Sequence, residues 1–144
     1  MGATQTPIPV GEMTKAATKA DEGASFAAYG TIAATLQTYV DAARAGAGAL
    51  MRKAFLDSAH IRGSYAGKPV DWTLSEFCDL IDKGGPAADL VARIVAIDHA
   101  GTAAAARLEA ENWRGTRYTD FFVLLETGAG WRIASKVFFA HSRA

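Results

Sequence analysis

From Thr31 to Ala45 apolar residues recur at helical spacing, with Ile32, Leu36, Tyr39, Val40 and Ala43 on one face. That spacing predicts an amphipathic helix with a single buried stripe. Gly46 and Gly48 break it, and a second helix carries Leu50, Met51, Ala54 and Phe55 to the same side. Ala59–Tyr65 and Lys68–Trp72, separated by Ala66-Gly67, read as a hairpin whose Pro69 demotes the second arm to an edge. Thr73 and Glu76 then form a capping box, because each side chain can satisfy a backbone N–H at a helix start. Trp72 and Phe77 flank it as a hydrophobic staple. Leu74, Phe77, Cys78 and Ile81 make the buried stripe of this third helix, and Lys83-Gly84-Gly85-Pro86 ends it.

Beyond Pro86 the period changes to two. Leu90–Asp98 is rich in Val and Ile, and His99–Thr102 reads as a turn. In Thr102–Asn112, Ala104, Ala106, Leu108 and Ala110 share one face while Arg107, Glu109 and Glu111 share the other. Tyr118–Glu126 and Trp131–Ala140 are two further strands about a glycine turn at Thr127–Gly130. Helix, helix, hairpin, helix and four long strands predict an α+β fold, with three N-terminal helices packed against a curved, mostly antiparallel sheet. Residues 1–28 read as an irregular leader, with Met1–Thr6 matching the loose myristoylation pattern, and 29–144 as one domain.

Composition narrows the function. The chain has 144 residues, with 15 acidic and 15 basic side chains and one cysteine. Balanced charge removes the electrostatic footprint of a nucleic-acid binder, and no apolar run is long enough to span a bilayer. The lone Cys78 forms no internal disulfide, which points to the cytoplasm. There is no metal-ligand cluster, phosphate loop or nucleophile elbow, so neither a metal nor a cofactor is expected.

Several segments resemble a known family. Tyr39-Val40, Ala54-Phe55, Ile94-x-x-Ile97-Asp98, Tyr118-Thr119-Asp120, Gly130-Trp131-Arg132-Ile133 and Lys136-Val137-Phe138 are similar to the nuclear transport factor 2-like superfamily, most of all its "Putative lumazine-binding" family. The resemblance covers Thr31 to the C-terminus. It implies a cone whose sheet encloses a pocket. Relatives in the superfamily include isomerases, dehydratases, polyketide cyclases and non-catalytic binding proteins, many of them dimeric, and a shared fold transfers none of these activities.

Asp120 and Lys136 interrupt apolar surroundings in the last two strands. Strand parity groups Asp120 with Tyr118, Phe122 and Leu124, and Lys136 with Arg132, Ala134 and Phe138. The two charges are either an ion pair of the fold or pocket groups with shifted pKa values. His60 is a second candidate acid or base, placed where the chain enters the hairpin. Aromatics with polar tips suit a flat ligand as well as an ordinary core. The candidate ligand-binding set is Tyr39, Tyr65, Trp72, Phe77, Trp113, Tyr118, Phe122 and Lys136, and Trp131 is expected to pack on the hairpin or a helix. The first functional reading is a small-molecule-binding homodimer, joined through the outer face of the sheet near Arg107, Glu109 and Glu111, whose ligand is apolar or aromatic. It calls for a cavity of roughly 300 Å3. The alternative is proton transfer on a carbonyl compound, with Asp120 or His60 as base and Tyr39 or Tyr65 donating to the oxyanion.

Overall fold

The computed structural model describes residues 19–141. Helix α1 (Lys19–Ala45) and helix α2 (Gly48–Lys53) lead into a hairpin of β1 (Phe55–Tyr65) and β2 (Lys68–Thr73). Helix α3 (Leu74–Gly84) follows, then β3 (Val91–Ala100), β4 (Ala103–Trp113), β5 (Thr116–Thr127) and β6 (Gly130–Ala140). The strands form one open sheet in the order β2-β1-β6-β5-β4-β3. Every neighbouring pair is antiparallel except β1 with β6. The fold is α+β. Two of the helices among the described residues precede the sheet, and α3 is inserted between its hairpin and its meander.

Local chemistry sets the element ends. Gly46 takes a positive φ of 64°, and the N–H of Ala47 bonds to the Ala42 carbonyl at 3.0 Å, closing α1 with a left-handed turn. A Cβ on Gly46 would collide with the backbone of Gly85 and Pro86, so the α1–α2 and α3–β3 turns press directly on each other. The N–H of Gly48 donates to Asp82 of α3 at 2.7 Å, so a neighbouring helix satisfies the start of α2. The capping box of α3 is present in both directions, Glu76 N–H to Thr73 Oγ1 at 3.2 Å and Thr73 N–H to Glu76 Oε1 at 3.0 Å.

Three features differ from the sequence expectation. Helix α1 begins at Lys19, inside the segment read as irregular. The rest of that leader, including Met1–Thr6, lies outside the described residues. Helix α2 is one short turn and a half, because Phe55 is already in β1, paired with Ile133 of β6. The Ile133 N–H donates to the Ala54 carbonyl at 2.8 Å, drawing the chain out of the helix.

The third difference matters most. A bulge in β6 lies between the pairs Val123–Ser135 and Leu124–Ile133, leaving Ala134 as the extra residue. It reverses the parity of β6, so Lys136 and Phe138 share the inner face with Trp131 and Ile133 rather than with Arg132 and Ala134. Without the bulge Lys136 would point out.

The core lies between the helices and this inner face. Ile32, Leu36, Tyr39, Val40 and Ala43 of α1 pack with Ala104, Ala106, Leu108 and Ala110 of β4, Phe122 and Leu124 of β5, and Trp131, Ile133 and Phe138 of β6. Small alanines on β4 leave room for the α1 side chains above them. Trp131 packs toward α1, where Thr35 Oγ1 donates to its carbonyl at 3.0 Å. No helix among the described residues is long and apolar enough to cross a membrane.

Candidate functional site

Three elements bring three polar groups together beneath the apolar layer. Asp120 lies on the inner row of β5, opposite Leu108 of β4 and Phe138 of β6. Lys136 lies opposite Phe122, so the two charges are diagonal neighbours on adjacent strands. Tyr39, fully buried within the apolar stripe of α1, reaches between them. Its hydroxyl donates to Asp120 Oδ2 at 2.9 Å, and the Lys136 ammonium donates to the same hydroxyl oxygen at 2.6 Å. Lys136 Nζ stands 3.8 Å from Asp120 Oδ1, which accepts no hydrogen bond from the described residues. The result is a chain, Lys136 to Tyr39 to Asp120, closed by an ion-pair contact.

The electrostatics of the chain follow from its burial. Desolvation pushes the Asp120 carboxyl above its ordinary range, and the opposing pull of Lys136 and the Tyr39 bond does not cancel it. Desolvation likewise lowers Lys136, against the pull of Asp120. Tyr39 is raised well above its ordinary value, by burial first and then by the adjacent carboxyl, so it stays a neutral hydroxyl. Both ends of the chain are therefore pushed toward their uncharged forms.

Above Lys136 the helix α3, the hairpin and the β4–β5 turn enclose a cavity of about 240 Å3. Trp72, Phe77, Trp113, Tyr118 and Phe138 supply most of its walls, and Tyr65 and Leu80 stand at its edge. The walls are stacked on one another: Trp72 lies nearly parallel to Phe77 at 6.2 Å and to Phe138 at 5.9 Å. Trp113 meets Tyr118 edge-on at 5.3 Å. The Lys136 ammonium sits 4.7–5.4 Å from the ring centroids of Tyr39, Phe77, Trp113 and Phe138. Four rings thus surround the nitrogen of a residue that lines the cavity. The β4–β5 turn that carries Trp113 is strained: Asn112 and Arg114 hold φ of 58° and 49°. From that turn Arg114 donates to the Gly84 carbonyl, where any side chain on Gly84 would strike its guanidinium.

With this geometry in view, the comparisons with known proteins decide the family. The family model described as "Putative lumazine-binding" matches residues 27–139. The chain belongs to that family. Among solved structures it is similar to a nuclear transport factor 2-like protein of unknown function from Methylobacillus flagellatus, at 36% identity and a TM-score of 0.76, over 79% of this chain and 92% of that one. A second such protein, from Shewanella baltica, shares 31% identity with a TM-score of 0.75, over 88% and 99% of the two chains. A third, from Silicibacter pomeroyi, shares 26% identity with a TM-score of 0.74, over 78% and 95%. A ketosteroid isomerase-like protein from Erwinia carotovora atroseptica shares the fold at 16% identity. A search of curated proteins returns no match.

Within this member of the "Putative lumazine-binding" family, the residues singled out from sequence fall into three places. Tyr65, Trp72, Phe77, Trp113, Tyr118 and Lys136 line the cavity. Tyr39, Phe122 and Asp120 lie beneath it, with Tyr39 and Phe122 edge-to-face at 5.1 Å. Asp120 reaches the cavity only through Tyr39 and Lys136. His60 is elsewhere: alternation along β1 sends it to the outer face, about half exposed, where Nδ1 faces Asp71 Oδ1 at 3.5 Å beside Arg62. It does not share a site with Asp120. Leu80, Ile81, Arg114 and Phe138 complete the lining and were not among the sequence candidates. Phe138 follows Lys136 by two and could have been found by parity alone. Arg114 falls in the turn that Gly115 marks, but its place against the cavity depends on the left-handed conformation it takes there.

Proposed function

We propose that this protein binds a small, flat, largely aromatic molecule in the cavity above Lys136, seated against Trp72, Phe77, Trp113 and Tyr118. The observation that carries this reading is the aromatic-walled cavity with a buried ammonium in its floor. A core designed only for stability gains nothing from a desolvated lysine, because replacing a buried ion pair by hydrophobic residues is commonly neutral or stabilising. The cavity volume of about 240 Å3 is below the roughly 300 Å3 of ordinary ligand sites. The interior is largely filled by Tyr39, Phe122 and their neighbours, so the ligand has one or two rings, and steroids and flavins are too large. The family's description makes lumazine, a two-ring compound with carbonyl acceptors, the natural first probe.

The reading includes a bacterial-type cytoplasmic homodimer. On the outer face of β5 and β6, Phe121, Val123, Leu125, Val137 and Phe139 form an apolar patch, each 42–52% exposed. Beside it Glu109 accepts from Arg107, Arg117 and Thr119, a charged border that fixes register across two copies. The proton-transfer alternative finds less support, because Asp120 is held by Tyr39 and His60 lies on the opposite face.

Thermal-shift screening against pterins, flavins, steroids and short polyketides tests the reading. Lumazine or a compound of similar size is expected to stabilise the fold by about 2.7 kcal/mol at a hundred times its Kd, while the larger compounds leave it unchanged. A screen in which no one- or two-ring compound raises the melting temperature contradicts it.

A further inference from the structure

We propose that Lys136 is a nucleophilic amine that condenses with the carbonyl carbon of an aldehyde- or ketone-bearing aromatic ligand, forming an imine in the cavity. The inference deepens the ligand-site reading and rests on it. Its basis is the placement of one nitrogen. Lys136 lines the cavity, and its Nζ donates one hydrogen bond, to Tyr39, stands 3.8 Å from Asp120 Oδ1 and is otherwise ringed by aromatic carbon. An amine attacks only as the free base, and a lysine desolvated in an apolar pocket is the standard way to obtain one.

The hydrogen-bond chain supplies the free base without releasing a proton to water. The ammonium passes a proton to the Tyr39 oxygen while Tyr39 passes its own to Asp120 Oδ2, along bonds of 2.6 and 2.9 Å. Lysine and aspartate both become neutral, the direction in which burial drives each of them. Tyr39 is a hydroxyl before and after, as its resistance to ionisation requires.

The bonds and protons balance. The neutral amine adds to the carbonyl carbon, forming the C–N bond, and a proton moves from nitrogen to the former carbonyl oxygen to give a carbinolamine. Asp120 returns its proton through Tyr39 to the carbinolamine hydroxyl. The C–O bond then breaks, water leaves, and the nitrogen becomes a protonated imine opposite the Asp120 carboxylate. One carbonyl and one ammonium have become one iminium and one water, with no oxidant or reductant consumed. The ring faces of Phe77, Trp113 and Phe138 favour the cationic nitrogen at both ends of the reaction.

Benzaldehyde with sodium cyanoborohydride traps such an imine as a stable benzyl amine, which peptide mapping assigns to a lysine. The expected result is an adduct on Lys136 forming at least about ten-fold faster than on the exposed Lys53, Lys68 and Lys83. Benzyl alcohol, which has the same ring and no carbonyl, slows it by competition. Lys136→Arg keeps a cation among the rings, cannot form an imine, and loses the adduct. Labelling of Lys136 no faster than of the surface lysines overturns the proposal. If benzyl alcohol binds and Lys136 is still not trapped, the imine fails and the ligand site stands. If neither compound binds, the ligand reading falls and the imine with it.

Discussion

The Tyr39 hydroxyl donates to the Asp120 carboxylate across 2.9 Å, joining α1 to β5 among fully buried side chains beneath the cavity. That bond and the one from Lys136 make Tyr39 the junction of the buried chain. Tyr39→Phe removes the hydroxyl and leaves Asp120 Oδ2 without its donor. A buried acceptor left unsatisfied costs about 1–3 kcal/mol, so urea unfolding should show a loss of that size with an unchanged m-value. An unaltered midpoint would mean that the chain contributes nothing to the fold.

The ion pair itself is expected to behave non-additively. Lys136→Met removes one partner of a buried pair and should destabilise the protein by about 3–5 kcal/mol. Adding Asp120→Leu should restore most of that loss, because an apolar pair of similar volume no longer carries a desolvated charge. Additive losses in the double variant would place the two side chains in separate environments.

The pH dependence has a definite sign. Asp120 is raised above its ordinary 3.8, so the folded protein binds that proton more tightly than the unfolded chain. Its contribution to stability is full below 3.8 and is lost as pH rises through the folded value. Lys136 is lowered from 10.5, so its contribution is full above 10.5 and is lost as pH falls through its folded value. Asp120→Asn mimics the protonated carboxyl and removes the first effect. Relative to that variant, the native protein should lose stability in urea titrations as pH rises above 3.8. A difference that moves the other way would show that the attraction of Lys136 outweighs burial.

The proposed dimer has its own test. Phe121→Asp places a charge in the apolar patch of the outer face without entering the inner core. Sedimentation velocity should show a dimer for the native chain and a monomer for the variant, with far-UV circular dichroism unchanged. A native chain that sediments as a monomer at micromolar concentration would remove the dimer from the account.

Much of this fold was legible in the sequence because its local signals agree with its packing. The capping box at Thr73 and Glu76, the glycines after α1 and α3, and the alternation of Ala104, Ala106, Leu108 and Ala110 each have one physical reading, and the strands and helices follow from them. The site was harder to read. Parity holds Asp120 on the inner row, but it fails for Lys136, because a bulge adds a residue without changing composition or hydrophobic pattern. Sequence placed a histidine at the hairpin but could not say which face of β1 it would occupy. Gly115 marks a turn here, but the left-handed conformations of Asn112 and Arg114, which set Trp113 and Arg114 beside the cavity, fall on residues whose type does not require them. Tyr39 was visible as part of an apolar stripe, and its two hydrogen bonds depend on contacts between residues 81 and 97 positions apart.

The three tryptophans offer the most direct test of the ligand site. Trp72 and Trp113 line the cavity, whereas Trp131 is buried in the core and does not. In a titration with lumazine followed by the indole N–H resonances of 15N-labelled protein, the signals of Trp72 and Trp113 should shift together along one saturable curve while that of Trp131 stays in place. Shifts confined to Trp131, or none at saturating lumazine and benzyl alcohol, would contradict the account.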